Sequence, residues 1–301
     1  MYRATLGIRP GTWPRTWPLV AALLAALGRA LPARADEAPG SGWSLLNLPQ
    51  GVTGISREVY SLHMMAFWVC VAIGMIVFGV MIWSIIFHRR SQGAVADVTM
   101  VHNTKVEIVW TTIPVLILIG MSIPAARGLV MISDDSHSQL DIKVTGFQWG
   151  WQYEYVGKGV SFISKLDEKS DAASELDSRI DPDSVPHYLR NVDHPLVVPV
   201  GTKVRLLITA VDVIHSWWVP EIGIKKDAIP GYINTSWFEI DADKPGVYRG
   251  QCAELCGRGH GYMPIVVDAV SQADFQAWLK RQAAAEKTAA GGSPAGGAAS
   301  S

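Results

Sequence analysis

Two cysteines, a histidine and a methionine crowd into one short stretch, residues 248–264, as Cys252, Cys256, His260 and Met263. These donors lie four, four and three residues apart, and glycines at 250, 257, 259 and 261 let the chain between them fold back. A further donor, His215, stands upstream in the run V-D-V-I-H-S-W-W-V-P. Thiolate, thioether and imidazole together make a soft-to-borderline set, the kind that suits copper. Two other chemistries would use part of the same residues. The cysteines could close a disulfide in an oxidising compartment. Cys, Cys, His and His could instead hold a structural zinc. Zinc has no need of the methionine, and neither alternative accounts for a histidine on a separate Trp-rich turn.

Donors in a flexible stretch need a frame to hold them. The chain has 301 residues and a formal net charge of −1, unlike a protein that presents a basic surface to nucleic acid. Hydrophobic residues make up 49% and charged residues 18%, which puts part of the chain in lipid. Twelve Trp fit the same picture, because Trp favours membrane interfaces. Residues 1–35 read as a secretory signal. Arg3, Arg9 and Arg15 form a positive start, Leu19 to Leu27 a short apolar core, and Ala33-Arg34-Ala35 a cleavage site before Asp36.

Residues 36–62 follow as a periplasmic arm, then a transmembrane hairpin over 63–132. Met64 to Phe87 carries no charge for 24 residues, against about 20 needed to cross a bilayer core. Ile108 to Ala126 is a second charge-free run; it contains Pro114 and Pro124, which spanning helices tolerate. Arg89, Arg90 and Lys105 lie in the connection, offset mainly by Asp97, so the positive-inside rule places it in the cytoplasm. Both ends of the mature chain then face the periplasm, as expected for a two-helix protein of a bacterial inner membrane. Cys70, inside the first run, reads as a small buried hydrophobe.

From Gln139 the hydrophobic period becomes two, with Leu140, Ile142 and Val144 alternating with polar neighbours. Further strand-like runs cover 149–155, 196–200, 203–211, 236–240, 247–251 and 264–269, and Pro/Gly breaks separate several of them. Residues 133–270 are thus predicted to form an all-β domain. The acidic segment 157–194 reads as an elaborated surface loop with a short helix around 171–180. Over 271–301, Ser271 and Asp274 open a helix of about 15 residues, and an Ala/Gly/Ser-rich tail follows.

The pattern C-x-E-x-C-x-x-x-H-x-x-M-P, with D-V-x-H-S-W upstream, resembles the dinuclear copper (CuA) loop of cytochrome c oxidase subunit II, a family of the haem–copper oxidases. The resemblance narrows the fold to a two-helix hairpin followed by a cupredoxin-like Greek-key β-barrel. It implies that Cys252 and Cys256 bridge two coppers, that His215 and Met263 complete one, and that His260 and the Glu254 carbonyl complete the other. It also gives the Glu254 carboxylate to a magnesium or manganese ion shared with subunit I. Trp149, in G-F-Q-W-G-W-Q-Y-E-Y, resembles the family's receiving point for electrons from cytochrome c. Glu154 and Asp212 match acidic positions that face that partner. Glu107, in E-I-V-W-T-T-I-P, matches the glutamate at the mouth of the proton path called the K channel.

The implied function is electron transfer from cytochrome c, through copper, to haem in subunit I, coupled to proton pumping. The partners are then subunit I and other oxidase subunits, cytochrome c and membrane lipid, with no nucleic acid. Rival classes are a metal-free quinol-oxidase subunit, a copper-delivery module, and the copper domain of a different reductase. The complete donor set argues against the first, the Trp and Glu motifs against the second, and the signal and hairpin against the third.

Overall fold

The structure is a computed structural model. It describes residues 46–89, the isolated positions 91, 93 and 95, and residues 102–291. The secretory signal with its cleavage site, Arg90, Asp97 and the end of the Ala/Gly tail lie outside the described residues.

Helix α1 runs over Gly54–Phe87 and α2 over Thr104–Ser133. Their 34 and 30 residues correspond to about 51 and 45 Å at 1.5 Å per residue, more than the ~30 Å hydrocarbon core. Both therefore have turns to spare outside the lipid. Helix α1 starts at Gly54, inside the stretch assigned from sequence to the periplasmic arm, because Thr53 and Ser56 close a reciprocal capping box. Large apolar side chains such as Phe67, Trp68, Ile76 and Trp83 point outward, as lipid-facing residues must. Cys70 is also exposed, which corrects the expectation of burial. A two-helix hairpin has too little interior to enclose both faces of its helices. Pro114 and Pro124 both lie within α2.

The remaining described chain builds two five-stranded sheets. The strands are β1 Leu140–Phe147, β2 Gly150–Tyr155, β3 Val160–Ser164, β4 Leu196–Pro199, β5 Val204–Ala210, β6 His215–Val219, β7 Ile224–Ala228, β8 Asn234–Phe238, β9 Gly246–Cys252 and β10 Pro264–Val270. One sheet has the order β3-β2-β1-β5-β8 and the other β4-β10-β9-β6-β7. The pairs β1/β5 and β4/β10 are parallel and the rest antiparallel, so the chain repeatedly crosses rather than meandering. The inward faces of both sheets feed one core, including Ile142, Trp151, Tyr153, Leu206, Ile208, Trp217, Phe238 and Ile265. Strand β5 alternates buried and half-buried positions along its length, as a strand with one core face should.

Segment 157–194 is not all loop. It contains the edge strand β3, paired with β2 from Trp151↔Ser164 to Tyr155↔Val160, and helix α3 over Glu168–Ser174. That helix lies earlier than the expected 171–180 because Asp167 caps it by accepting from the Ser170 amide. Helix α4 covers Gln272–Gly291, longer than expected, and Phe275 and Leu279 seat it on the core.

Candidate metal centre

The donors sit where β6 begins and β9 ends, at one end of the domain. His215 is the first residue of β6 and Cys252 the last of β9; Trp217 pairs with Cys252 across the two strands. The ladder continues past the strands through Ala253 N to Ser216 O at 3.0 Å. Cys256, His260 and Met263 come from the loop between β9 and β10, which ends in a 3-10 turn over His260–Tyr262. The Cys252 amide reaches the Met263 carbonyl at 3.2 Å and closes the loop on itself.

The two sulfurs lie 3.8 Å apart. A disulfide needs about 2.05 Å, so they are not bonded to each other. Two metal–thiolate bonds of about 2.3 Å meeting near the tetrahedral angle span about 3.8 Å, so both sulfurs fit around a shared metal. His215 Nδ1 is 4.0 Å from Cys252 Sγ, and His260 Nδ1 is 3.6 Å from Cys256 Sγ. Met263 Sδ lies 3.5 Å from Cys256 Sγ, and the Glu254 carbonyl oxygen 3.3 Å from Cys252 Sγ. Cys252, Cys256 and Met263 are almost fully buried, while the Glu254 side chain is exposed.

A second layer of contacts orients these donors. Asp212 Oδ1 is 3.0 Å from His215 Nε2. With Nε2–H donated to the carboxylate, Nδ1 keeps its lone pair free on the sulfur side, as a metal-binding imidazole requires. The same carboxylate accepts from the Val213 and Gln148 amides, each at 2.7 Å. On the loop side, Gln148 Nε2 and Trp149 Nε1 both donate to the Cys256 carbonyl, at 2.9 and 3.1 Å. Trp149 also lies against Gly257 and Gly259. A Cβ on Gly259 would come within 2.3 Å of the indole, and Gly257 has a φ of +114°. The glycines that make the loop foldable also seat the tryptophan.

Electrostatics follow from this packing. Burial pushes the Cys252 thiol up, but hydrogen bonds with His215, Ser216, Glu254 and His260 outweigh it and bring it down to about 7. Burial, and then the charge of Cys252, push Cys256 the other way. The pair thus gives up one proton readily and holds the second until a cation takes its place. Burial alone would lower the His215 imidazole; Cys252 and Asp212 raise it overall. Burial would raise Asp212, and its bonds to His215, Val213 and Gln148 leave it lowered.

The other residues singled out from sequence fall in different places. Asp212, which the resemblance sets on a partner-facing surface, is exposed, and its two oxygens also hold His215 and the Val213 and Gln148 amides. Glu154 lies on β2, exposed and 3.7 Å from Lys143. Glu107 stands in the first turn of α2 with His102 Nδ1 2.8 Å from its carboxylate. Gln148 and Ser216 escaped notice in the sequence, and only the adjacency of each to a marked residue, Trp149 and His215, could have flagged them.

Two apolar helices of spanning length carry a β domain whose buried His215, Cys252 and Cys256 lie close enough to hold a metal ion, a membrane-anchored arrangement consistent with copper binding. Comparison with known proteins agrees. Residues 140–270 match the family described as cytochrome C oxidase subunit II, periplasmic domain, and residues 41–127 its transmembrane domain. A probable cytochrome c oxidase subunit 2 of Rickettsia bellii is 38% identical over 239 residues, covering 79% of this chain and 83% of the relative. The cytochrome c oxidase subunit 2 of Artemia franciscana is 35% identical over 243 residues, 80% of this chain and 99% of the relative. The crystal structure of the periplasmic domain of subunit II of cytochrome oxidase from Bradyrhizobium japonicum is 37% identical; it covers 50% of this chain and 96% of that one at a TM-score of 0.41. The chain belongs to the cytochrome c oxidase subunit II family, with a hairpin anchor and a cupredoxin-like extramembrane domain.

Proposed function

We propose that this subunit takes single electrons from cytochrome c on the periplasmic side of a bacterial inner membrane and passes them to haem in subunit I, where oxygen reduction and proton pumping occur. What supports the reading is the convergence of two unbonded sulfurs, two imidazole Nδ1 atoms, a thioether and a main-chain carbonyl in one buried spot. His215, Cys252, Cys256, His260, Met263 and the Glu254 carbonyl would hold the dinuclear copper. When bound, the copper pair supplies a one-electron couple spread over two metals and two sulfurs. The β6–β9 ladder and the Trp149 seat hold these ligands in place, so little must move when charge arrives.

Trp149 is half-buried and donates to the Cys256 carbonyl, which links the domain surface to a ligand's main chain by one hydrogen bond. It is the proposed receiving residue. Glu154 supplies exposed negative charge near it in sequence, suited to steering a basic cytochrome at a salt-sensitive rate. The Glu254 carboxylate, exposed beside the donors, is the proposed ligand for magnesium or manganese at the contact with subunit I. Glu107, paired with His102 in the first turn of α2, at its cytoplasmic end, is the proposed opening of the proton path. The lipid-facing side chains of α1 and α2 hold the subunit in the membrane.

The test is direct. Copper-loaded full chain mixed with reduced cytochrome c should oxidise it, one electron per chain, and Trp149→Phe should slow this at least about tenfold without changing copper content. No oxidation of cytochrome c by the loaded chain contradicts the function. Glu107→Ala should leave this step intact and slow only haem reduction in the assembled enzyme.

A further inference from the structure

The first turn of α1 is plugged into the β domain, far along the chain from every metal donor. Val52 spans the two sheets. Its amide donates to the Glu221 carbonyl at 2.9 Å, and its carbonyl accepts from the Asp241 amide at 3.0 Å. Thr53 bridges Ile240, and its hydroxyl donates to the Ile222 carbonyl at 2.8 Å while accepting the Ser56 amide at 2.9 Å. Ser56 Oγ in turn donates to the Thr53 carbonyl and accepts the Thr53 amide. Thr53, Ile55 and Ser56 are 0%, 1% and 3% exposed, as buried as the residues of the sheet core. Arg57 grips Asp241 with two guanidinium nitrogens, one of them at 3.1 Å.

The seat is built for close approach. Gly223 has φ +81°, and a Cβ there would meet Ser56 Cα at 2.7 Å; a Cβ on Gly51 would meet Ser56 Oγ and the Glu221 carbonyl closer still. At the same level, Gly128 of α2 lies against Leu62 and Glu58 of α1, so the second helix is locked to the first. A merely tethered helix needs none of this. The bonds are buried, reciprocal and matched by glycines on the receiving side.

The position of the seat gives it meaning. Ile222 and Gly223 form the turn that ends β6, and β6 starts with His215 and pairs with Cys252. Four steps of about 3.3 Å separate the two ends of the strand, roughly 13 Å. The strand is a short strut with the membrane helix fixed at one end and metal donors at the other. We propose that residues 51–57, seated on Gly223, Ile222 and Asp241, set the position of the donor cluster relative to the membrane hairpin. Thr53, Arg57 and Gly223 are positioning residues; none touches a donor. The inference rests on copper binding at the cluster, and its test is chosen to fail separately.

Cys70 is exposed on α1 and offers a labelling point while copper protects the other two cysteines. A nitroxide on Cys70 of the copper-loaded full chain in a nanodisc gives, by pulsed dipolar spectroscopy, the distance from label to copper. The native chain should show one narrow distance. Gly223→Ala should shift it, and Thr53→Val, which removes the hydroxyl without adding bulk, should add a second distance component. Thr53→Ser should restore the native value. Copper content and the paramagnetic spectrum should stay native in Thr53→Val, while electron delivery to haem in the assembled oxidase should fall at least about tenfold. A native distance distribution in Thr53→Val overturns the proposal, and so does a broad one in the unaltered chain. Absence of any copper signal from the unaltered chain contradicts the metal reading instead.

Discussion

The two halves of the donor cluster are held by different means. His215 and Cys252 are mounted on strands; His215 is fully buried, and the β6–β9 ladder fixes both main chains. Cys256, His260 and Met263 hang on a glycine-rich loop, and no side chain caps its 3-10 turn. That loop is fixed from outside, by Gln148 and Trp149 of the β1–β2 turn bonding to the Cys256 carbonyl. Asp212 joins the halves, since one oxygen holds His215 and the other the Gln148 amide. A loop can thus be made as well placed as a strand, provided that other elements supply the bonds its own backbone lacks.

The comparison can be broken most severely at the sulfurs. Cys252→Ser and Cys256→Ser should each abolish the metal pair, although they come from opposite halves, because each removes one of the two adjacent thiolates that would hold it; copper content and absorption of the full chain check this. Next in size, Asp212→Ala removes the brace common to both halves. It frees the His215 tautomer and should weaken copper retention about 10–100-fold, measured by competition with a chelator. Gln148→Ala touches the loop half alone. One net hydrogen bond is worth about 1 kcal/mol, so retention should fall about fivefold, and amide exchange should quicken in residues 253–261 but not in β6. Equal exchange changes in both halves would show that the division is wrong.

The smallest effect lies in the frame under both. Asp141 and Arg205 face each other across the parallel β1/β5 pair, with Nη2 to Oδ2 at 2.6 Å. Arg205, against the opposing pull of burial and with help from Ser138, holds the Asp141 carboxyl below its ordinary value. A folded value below the unfolded one adds stability above the unfolded value, near about 3.9, and loses it as pH falls through the folded value. Asp141→Asn should therefore melt below the parent at neutral pH, with the gap closing below about pH 4. The metal spectrum at neutral pH should not change.

How much of this was legible beforehand divides along the same physical lines. The donors were readable because soft ligands at fixed spacing are rare, and the hairpin because long uncharged runs are. Strands such as β5 were readable from strict alternation. Strands β6 and β7 were missed. His215–Val219 is H-S-W-W-V and Ile224–Ala228 is I-K-K-D-A, and neither alternates in side-chain polarity. Pairing with β9 makes β6 a strand, and pairing with β6 makes β7 one. Edge strand β3 was hidden by the acidic segment around it. The start of α1 was placed too late because lipid-crossing length marks a helix only from its apolar residues, and the capping turn at Thr53 is polar. The Asp212–His215 bond is local, three residues apart, but the bonds of Gln148 to Asp212 and of Gln148 and Trp149 to the Cys256 carbonyl exist only because the β1–β2 turn, the approach to β6 and the metal loop meet at one end of the domain.

The most direct measurement is metal content together with the paramagnetic resonance of the oxidised, copper-loaded full chain. Two coppers per chain, a purple colour and an unpaired electron shared equally by both nuclei are the expected result. One blue copper per chain, or a colourless protein whose cysteines at 252 and 256 have joined, would contradict it.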